Sequence, residues 1–324
     1  MPERNTDATA GSAATDATTA TTAATGSADS AAEAAAAAFQ AERRYLGAVA
    51  YRLLGSVADA EDVLQDAWLR WQSADRSDVA DPRAYLTTVV TRLCYDQLGS
   101  ARARREAYVG EWLPEPVLTA PGSPAEPAEL AVLGEQVSVA MLAVMEQLTP
   151  AERAAFVLHD VFAVGFDEIA PALERSPEAT RQLASRARRR IRDGGRRGSV
   201  DPAEHHRVVS AFTAAAAGGD LAALVSMLDP EVVWHADGGG VVNAARRPVH
   251  GAPYVARLLR KLTTRVVDAE HPIVPAVVNG EPGAVWYAAP GTVGGVMAFT
   301  VENGLVTAVY VMVNPAKLGH LQQV

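Results

Sequence analysis

Between residues 175 and 197 nine arginines stand against two carboxylates, Glu178 and Asp193, in a chain whose formal net charge is −9. Guanidinium groups so concentrated suit contacts with phosphates, because each contact releases condensed counterions from a polyanion. A second group of residue types has the chemistry to move protons: His235, Asp237, His250, Asp268 and His271 fall in one C-terminal stretch. A histidine or carboxylate inside an apolar pocket can abstract a proton beside a carbonyl. No spacing among the five dictates a mechanism. His235 and Asp237, two apart on a predicted strand, share a face, whereas Gly238–Gly240 make Asp237 equally a turn residue. A non-catalytic interaction surface is therefore expected there, and no enzyme activity is assigned. His205 and His206 are adjacent, point different ways on a helix and lack cysteines or paired carboxylates at ligand spacing, so they read as a solvated helix start without a metal. Cys94 stands alone, unable to form an internal disulfide, and reads as a small buried apolar residue. No glycine-rich phosphate loop joins a strand to a helix, and no cofactor is expected.

The arginines need a helix to present them. Phe166-Asp167-Glu168-Ile169-Ala170 begins a short helix, and Glu174-Arg175-Ser176-Pro177 supplies a turn and a second start, with Ser176 as cap and Pro177 in the first turn. Ala179, Leu183, Ala187 and Ile191 then recur every four residues and face the short helix, leaving Arg181, Gln182, Ser185, Arg186, Arg188 and Arg189 outward. In a helix-turn-helix the N-terminal part of the second helix meets base edges. Glu178, Arg181, Gln182 and Ser185 are thus candidate readers, while Arg188, Arg189 and Arg192 hold phosphates beside Arg186.

The chain of 324 residues is too long for one ordinary core and suits two or three domains. Residues 1–38 are Ala, Thr, Ser, Gly and Asp with almost no large apolar side chain, and read as a disordered tail, though Ala34–Ala38 can extend the next helix. Residues 39–107 show helical apolar spacing, with Ser56, Asp59 and Asp81 as N-caps. Residues 108–134 hold five prolines and four glutamates, Glu111, Glu115, Glu126 and Glu129, without a Lys or Arg, and read as an extended acidic linker. Such a linker has the charge to lie against the basic DNA-reading faces. Residues 135–198 form the helix-turn-helix domain, and 203–324 open helically before turning to β-rich runs at 231–235, 284–287 and 306–313, an α+β domain.

Three segments of the first domain carry a resemblance: Arg52-Leu53-Leu54-Gly55-Ser56, the acidic run from Asp59 to Arg70, and Asp81-Pro82-Arg83-Ala84-Tyr85-Leu86 followed by Asp96-Gln97-Leu98. They resemble region 2 of the extracytoplasmic-function (ECF) sigma factors of bacterial RNA polymerase, and the helix-turn-helix resembles region 4, in the right order and separated by a linker. The resemblance implies that Asp62, Gln65 and Asp66 face the polymerase. It implies that Tyr85, Thr88, Arg92, Asp96, Arg102, Arg104 and Arg105 serve the −10 element, where a flipped base stacked in a pocket is physically reasonable. Three more motifs are Trp112-Leu113-Pro114-Glu115-Pro116, Asp237-Gly238-Gly239-Gly240 and Asn314-Pro315-Ala316-Lys317-Leu318. They resemble the sigma-J type with a SnoaL-like extension, which implies a cone-shaped fold similar to nuclear transport factor and ketosteroid isomerase, contacting the linker and both helical regions.

The expectation is a multidomain protein, two all-α sigma domains plus a C-terminal α+β cone, that binds core RNA polymerase and promoter DNA and is modulated by its own extension. Two other readings remain: a one-component regulator sensing an unknown small ligand in the C-terminal pocket, and a bifunctional protein whose C-terminal domain is an enzyme. The longest apolar stretch is broken by Glu302 and Asn303 and no apolar signal follows Arg4, so no membrane span or secretion is expected and a cytoplasmic location is.

Overall fold

The computed structural model describes residues 13–119, 137–194, 201–265 and 273–321, with side chains from residue 32 onward except at 101–106, 119, 194, 217 and 263–265. The first domain is three helices, α1 (Ala13–Leu54), α2 (Val57–Ser73) and α3 (Pro82–Glu106). α1 begins at Ala13, well inside the stretch expected to be a disordered tail. Alanine has the best helix propensity, and tertiary packing adds to it: Ala35 is buried, and its carbonyl accepts a hydrogen bond from Trp71 Nε1 at 2.9 Å. Ser56 caps α2 by accepting from the Asp59 backbone N–H, and the Asp81 carboxylate does the same for Arg83 and Ala84 at the start of α3. Cys94 is fully buried, and that burial pushes its thiol pKa up.

The second helical domain holds α4 (Val139–Met145), α5 (Pro150–Phe156), a π-helical turn at Val157–Val161, α6 (Phe166–Ala172) and α7 (Pro177–Gly194). A capping box between Thr149 and Glu152 starts α5. The helix-turn-helix forms where the spacing places it: Ser176 Oγ accepts from Ala179 N, and Glu174 turns the chain with a positive φ of 53°. Leu183, Ala184 and Ala187 are buried against the domain core.

The C-terminal domain contains α8 (Pro202–Ala217), α9 (Leu221–Ser226), α10 (Ala252–Arg265) and strands β2 (Leu228–Asp237), β3 (Val249–His250), β4 (Ile273–Val278), β5 (Glu281–Ala289), β6 (Thr292–Glu302) and β7 (Leu305–Met312). These join β1 (Leu118–Thr119), contributed by the linker, in one sheet of order β1-β4-β5-β6-β7-β2-β3. The pleat alternates its side chains between two cores. Val232, Trp234, Ala236, Trp286, Met297, Phe299 and Val309 pack under α8 and α10 with Phe212 and Leu259. Val285, Val296, Ala298, Tyr310 and Met312 face the opposite way, where Leu113 of the linker, Val139 of α4, Leu318 and Leu321 cover them.

The linker does not lie where its charge alone would put it. It is extended from Glu111 to Val117, and Leu113, Pro114, Glu115, Pro116 and Val117 are buried, in contact with the C-terminal domain as the resemblance implies. Its backbone hydrogen bonds explain why: Val117 N donates to Asn279 Oδ1 at 3.0 Å, and Asn279 N returns a bond to Val117 O at 2.8 Å. Nor does Glu111 or Glu115 lie against the arginines of α7, since both have partners elsewhere; Glu126 and Glu129 lie outside the described residues. His205 also differs from its reading as a solvated residue. It is buried, with Nε2 at 3.1 Å from Phe299 O, while His206 points the other way and is exposed.

Candidate functional site

Asp237 ends β2 with no exposed surface, and four donors converge on its carboxylate. Tyr108 Oη donates to Oδ1 at 2.6 Å, Gly239 N to Oδ1 at 3.0 Å, Leu113 N to Oδ2 at 2.9 Å and Lys317 Nζ to Oδ2 at 2.8 Å. The two oxygens are therefore saturated. Lys317 Nζ also donates to Leu113 O and sits 3.8 Å from the centre of the Trp112 ring, which supplies a π face for its charge. Asn314 Nδ2 donates to Tyr108 Oη at 2.7 Å. Burial, and the Asp237 carboxylate that accepts its proton, push the Tyr108 phenol well above its ordinary pKa, so it remains a donor.

The three motifs singled out in the sequence thus meet at one point. Gly239 shows why glycine is needed there: its φ is +62°, and a Cβ would stand 2.5 Å from Asn314 Cγ. Gly238 and Gly240 are equally closed in, by Val242 O and Val109. Pro315 starts a short 3₁₀ turn capped by Asn314, which aims Lys317 inward, and Leu318 is buried beside it.

The linker is held on its other side by the first domain. Glu115 places its carboxylate at the N-terminus of α2, where Ser56 Oγ donates to Oε1 at 2.9 Å and Val57 N to Oε2 at 2.6 Å. Glu115 N donates to Gly55 O at 2.9 Å. Tyr51 Oη donates to Glu115 O and accepts from Asn279 Nδ2, both at 2.7 Å, so a single hydroxyl joins α1, the linker and the β4–β5 turn. Gly55, with φ +68°, brings its backbone against Trp112, Arg153 and Glu146. Arg153 is buried, ion-paired to Glu146, and donates through Nε to Arg52 O. Pro114 and Pro116 are buried in this segment, and Pro116 O lies 2.8 Å from His320 Nε2.

His235 and Asp237 do share a face, but it is the face toward the linker rather than the interior under α8 and α10. His235 Nδ1 contacts Glu111 Oε1 at 2.6 Å and its ring stacks on Tyr310 at 4.8 Å. His250 is exposed on β3, and Asp268 and His271 lie outside the described residues. Among the described residues no group of three or more His, Cys, Asp or Glu is placed to hold a metal.

On α7, Glu178, Arg181, Gln182, Ser185, Arg186, Arg189 and Arg192 are exposed together. Arg181 stacks 5.2 Å over Phe166, and Arg188, half-buried, is paired with Asp160 at 2.7 Å. Arg186 and Arg190 both approach Glu152, at 3.7 and 2.6 Å. On α2, Asp62, Gln65 and Asp66 are exposed beside Leu69. The α3 residues are more divided. Tyr85 packs against Trp71, Thr88 Oγ1 donates to Ala84 O, Asp96 is exposed, and Arg92 donates to Pro171 O of α6 at 3.0 Å. Arg102, Arg104 and Arg105 occupy the last turns of α3, where side chains are not described. The two helical domains meet along this face around a cleft of about 210 Å³ lined by Thr87, Thr88 and Thr91 on one side and Phe162 and Ile169 on the other.

Sequence reasoning missed Tyr51, Tyr108, Asn279, Arg153 and His320. Tyr51 sits at helical apolar spacing and reads as core. Asn279-Gly280 carries the turn signature of a hairpin, which hides its second task.

A helix-turn-helix with an arginine-rich second helix, a preceding three-helix domain and a clamped linker define a multidomain protein of the DNA-binding helix-turn-helix class. The chain matches the models of Sigma-70 region 2 over residues 38–104, Sigma-70 region 4 over 138–191 and the SnoaL-like domain over 209–309. It is 46% identical to the ECF RNA polymerase sigma factor SigJ of Mycobacterium tuberculosis, covering 86% of this chain and 91% of that one. It is 35% identical to the probable ECF sigma factor SigI of the same species, over 88% and 95%. The crystal structure of the Mycobacterium tuberculosis SigJ superposes with a TM-score of 0.72 at 42% identity, covering 87% of this chain and 97% of that one. The chain belongs to the ECF RNA polymerase sigma factors, with a C-terminal SnoaL-like domain. Members of this family direct polymerase to promoters and are not enzymes. No helix among the described residues is long and apolar enough to cross a membrane.

Proposed function

We propose that the SnoaL-like domain holds this sigma factor in a closed form by gripping its linker, and that polymerase binding competes with that grip. The Asp237 clamp carries the reading: Tyr108, Leu113 and Lys317 all end on one buried carboxylate, so the linker docks in one register. In the closed form Arg92 is engaged with Pro171, and the Thr88 side of α3 lines the cleft against the second domain. Separation of the two helical domains would free that surface for DNA. On this reading Asp62, Gln65 and Asp66 dock on core polymerase. Tyr85, Thr88, Arg92, Asp96, Arg102, Arg104 and Arg105 serve the −10 element. Glu178, Arg181, Gln182 and Ser185 read the −35 element while Arg186, Arg188, Arg189 and Arg192 hold its phosphates. The protein acts in the cytoplasm, where the polymerase is.

The test is transcription in vitro with core RNA polymerase and a promoter library, comparing the full chain with chains ending at residue 313 and at residue 200. Promoter-dependent initiation that changes when the Asn314–Leu318 turn is removed is expected. Initiation indifferent to both truncations would end the modulatory reading, and no initiation or core binding from any version would end the site assignments.

A further inference from the structure

We propose that the SnoaL-like domain carries a DNA-backbone contact surface of its own, built from the outer face of α10 and the approach to the edge strand β3. From Gly238 to Val267 the chain holds six basic residues, Arg246, Arg247, Arg257, Arg260, Lys261 and Arg265, and no Asp or Glu, within a protein of net charge −9. Outside the region of α7 no other stretch of this length gathers positive charge in this way.

The fold turns that composition into a surface. Val255 and Leu259 of α10 are buried against the sheet beneath Trp234, which forces Tyr254, Arg257, Arg260 and Lys261 to the outside. β3 is the last strand of the sheet on that side, and Arg246 and Arg247, just before it, are exposed. Tyr254 is 56% exposed, a high value for an aromatic ring, and the Arg257 guanidinium stacks 4.8 Å above it. The same pairing of an outward arginine with an aromatic ring occurs on the helix-turn-helix, where Arg181 lies 5.2 Å over Phe166. Stacking holds the guanidinium plane in place and leaves its terminal N–H groups to meet phosphate oxygens bidentately.

Duplex DNA is the occupant that the chemistry favours. The surface is rich in arginine, the residue whose fork matches a phosphate. It is also tethered to a helix-turn-helix, so DNA held by one module is presented to the other at high effective concentration. The contact is to the sugar-phosphate backbone, which guanidinium groups meet without reading sequence.

The experiment uses polymerase holoenzyme assembled with the full chain or with a variant carrying Arg246→Ala, Arg247→Ala and Arg257→Ala. Binding to a labelled promoter duplex is titrated across KCl concentrations. All three positions are exposed, so thermal unfolding should stay unchanged. The expected result is a slope of log affinity against log salt that is shallower by about 2–3, at roughly 0.9 for each phosphate no longer neutralised, with promoter preference preserved. An unchanged slope would overturn the proposal. So would weakened assembly with core polymerase at an unchanged DNA slope, because the surface would then face protein.

Discussion

The two faces of the C-terminal sheet are built from the same strands and do opposite things. On β2, Val232, Trp234 and Ala236 join a core closed by α8 and α10, whereas His235 and Asp237 point to the linker and carry the polar chemistry. The inner face is apolar and its contacts lack direction. The outer face combines apolar cover from Leu113, Leu318 and Leu321 with a buried Asp237–Lys317 pair. A buried ion pair is a poor source of stability, because desolvation offsets much of its attraction, but it is selective: an unmatched arrangement leaves a charge stranded. The contrast teaches that the inner face makes the domain fold and the outer face decides where the linker lies.

Two substitutions of similar cost should separate these roles. Asp237→Ala strands the Lys317 ammonium and should lower unfolding free energy by about 3–5 kcal/mol. Phe299→Ala empties part of the inner core and should cost about 3–5 kcal/mol as well. Only the first should release the linker, read as a red shift of Trp112 fluorescence with the other tryptophans replaced and as new protease cutting near Leu113. Equal linker release from both would erase the distinction between the faces. Gly239→Ala tests the fit of the turn against Asn314 and should cost about 1–3 kcal/mol from backbone strain, measured by urea unfolding. Glu115→Gln keeps the shape but removes the charge from the α2 N-terminus, and should cost about 1 kcal/mol.

The smallest expected effect depends on pH. Burial pushes the Glu281 carboxyl above the ordinary glutamate range, partly opposed by His205. Folding therefore favours the protonated form, and the penalty for burying the carboxylate grows as pH rises from the unfolded-state value through the folded one. Glu281→Gln should leave stability unchanged in acid and raise it slightly at neutral pH, in thermal unfolding scans at several pH values. A destabilised variant at neutral pH would mean that the carboxylate is held by a partner rather than merely tolerated.

Local signals in the sequence carried a good deal of this. Ser176, Pro177 and the apolar spacing of Leu183 and Ala187 place the helix-turn-helix because a cap and one helical stripe act within a few residues. The strand period correctly puts His235 and Asp237 on one side. The linker was less legible: prolines and glutamates without a basic residue read as an extended acidic linker with the charge to lie against the DNA-reading faces, yet Glu115 is buried because Ser56 and the α2 N-terminus, far away in the chain, supply its donors. Tyr51 and Asn279 escaped notice for the same reason, being 228 residues apart and joined only by one hydrogen bond.

By itself, then, the sequence determined the order of the modules, the second helix of the helix-turn-helix with its outward arginines, and the shared face of His235 and Asp237. These depend on periodicity, capping and composition, which act between near neighbours. Only the tertiary structure decided which side of the sheet that face is, that the segment from Leu113 to Val117 is buried between two domains, and that α3 meets α6 through Arg92. Those outcomes rest on contacts between groups such as Asp237 and Leu113, 124 residues apart. No local propensity encodes such a pairing; it exists only when the surrounding surfaces pack together and exclude water.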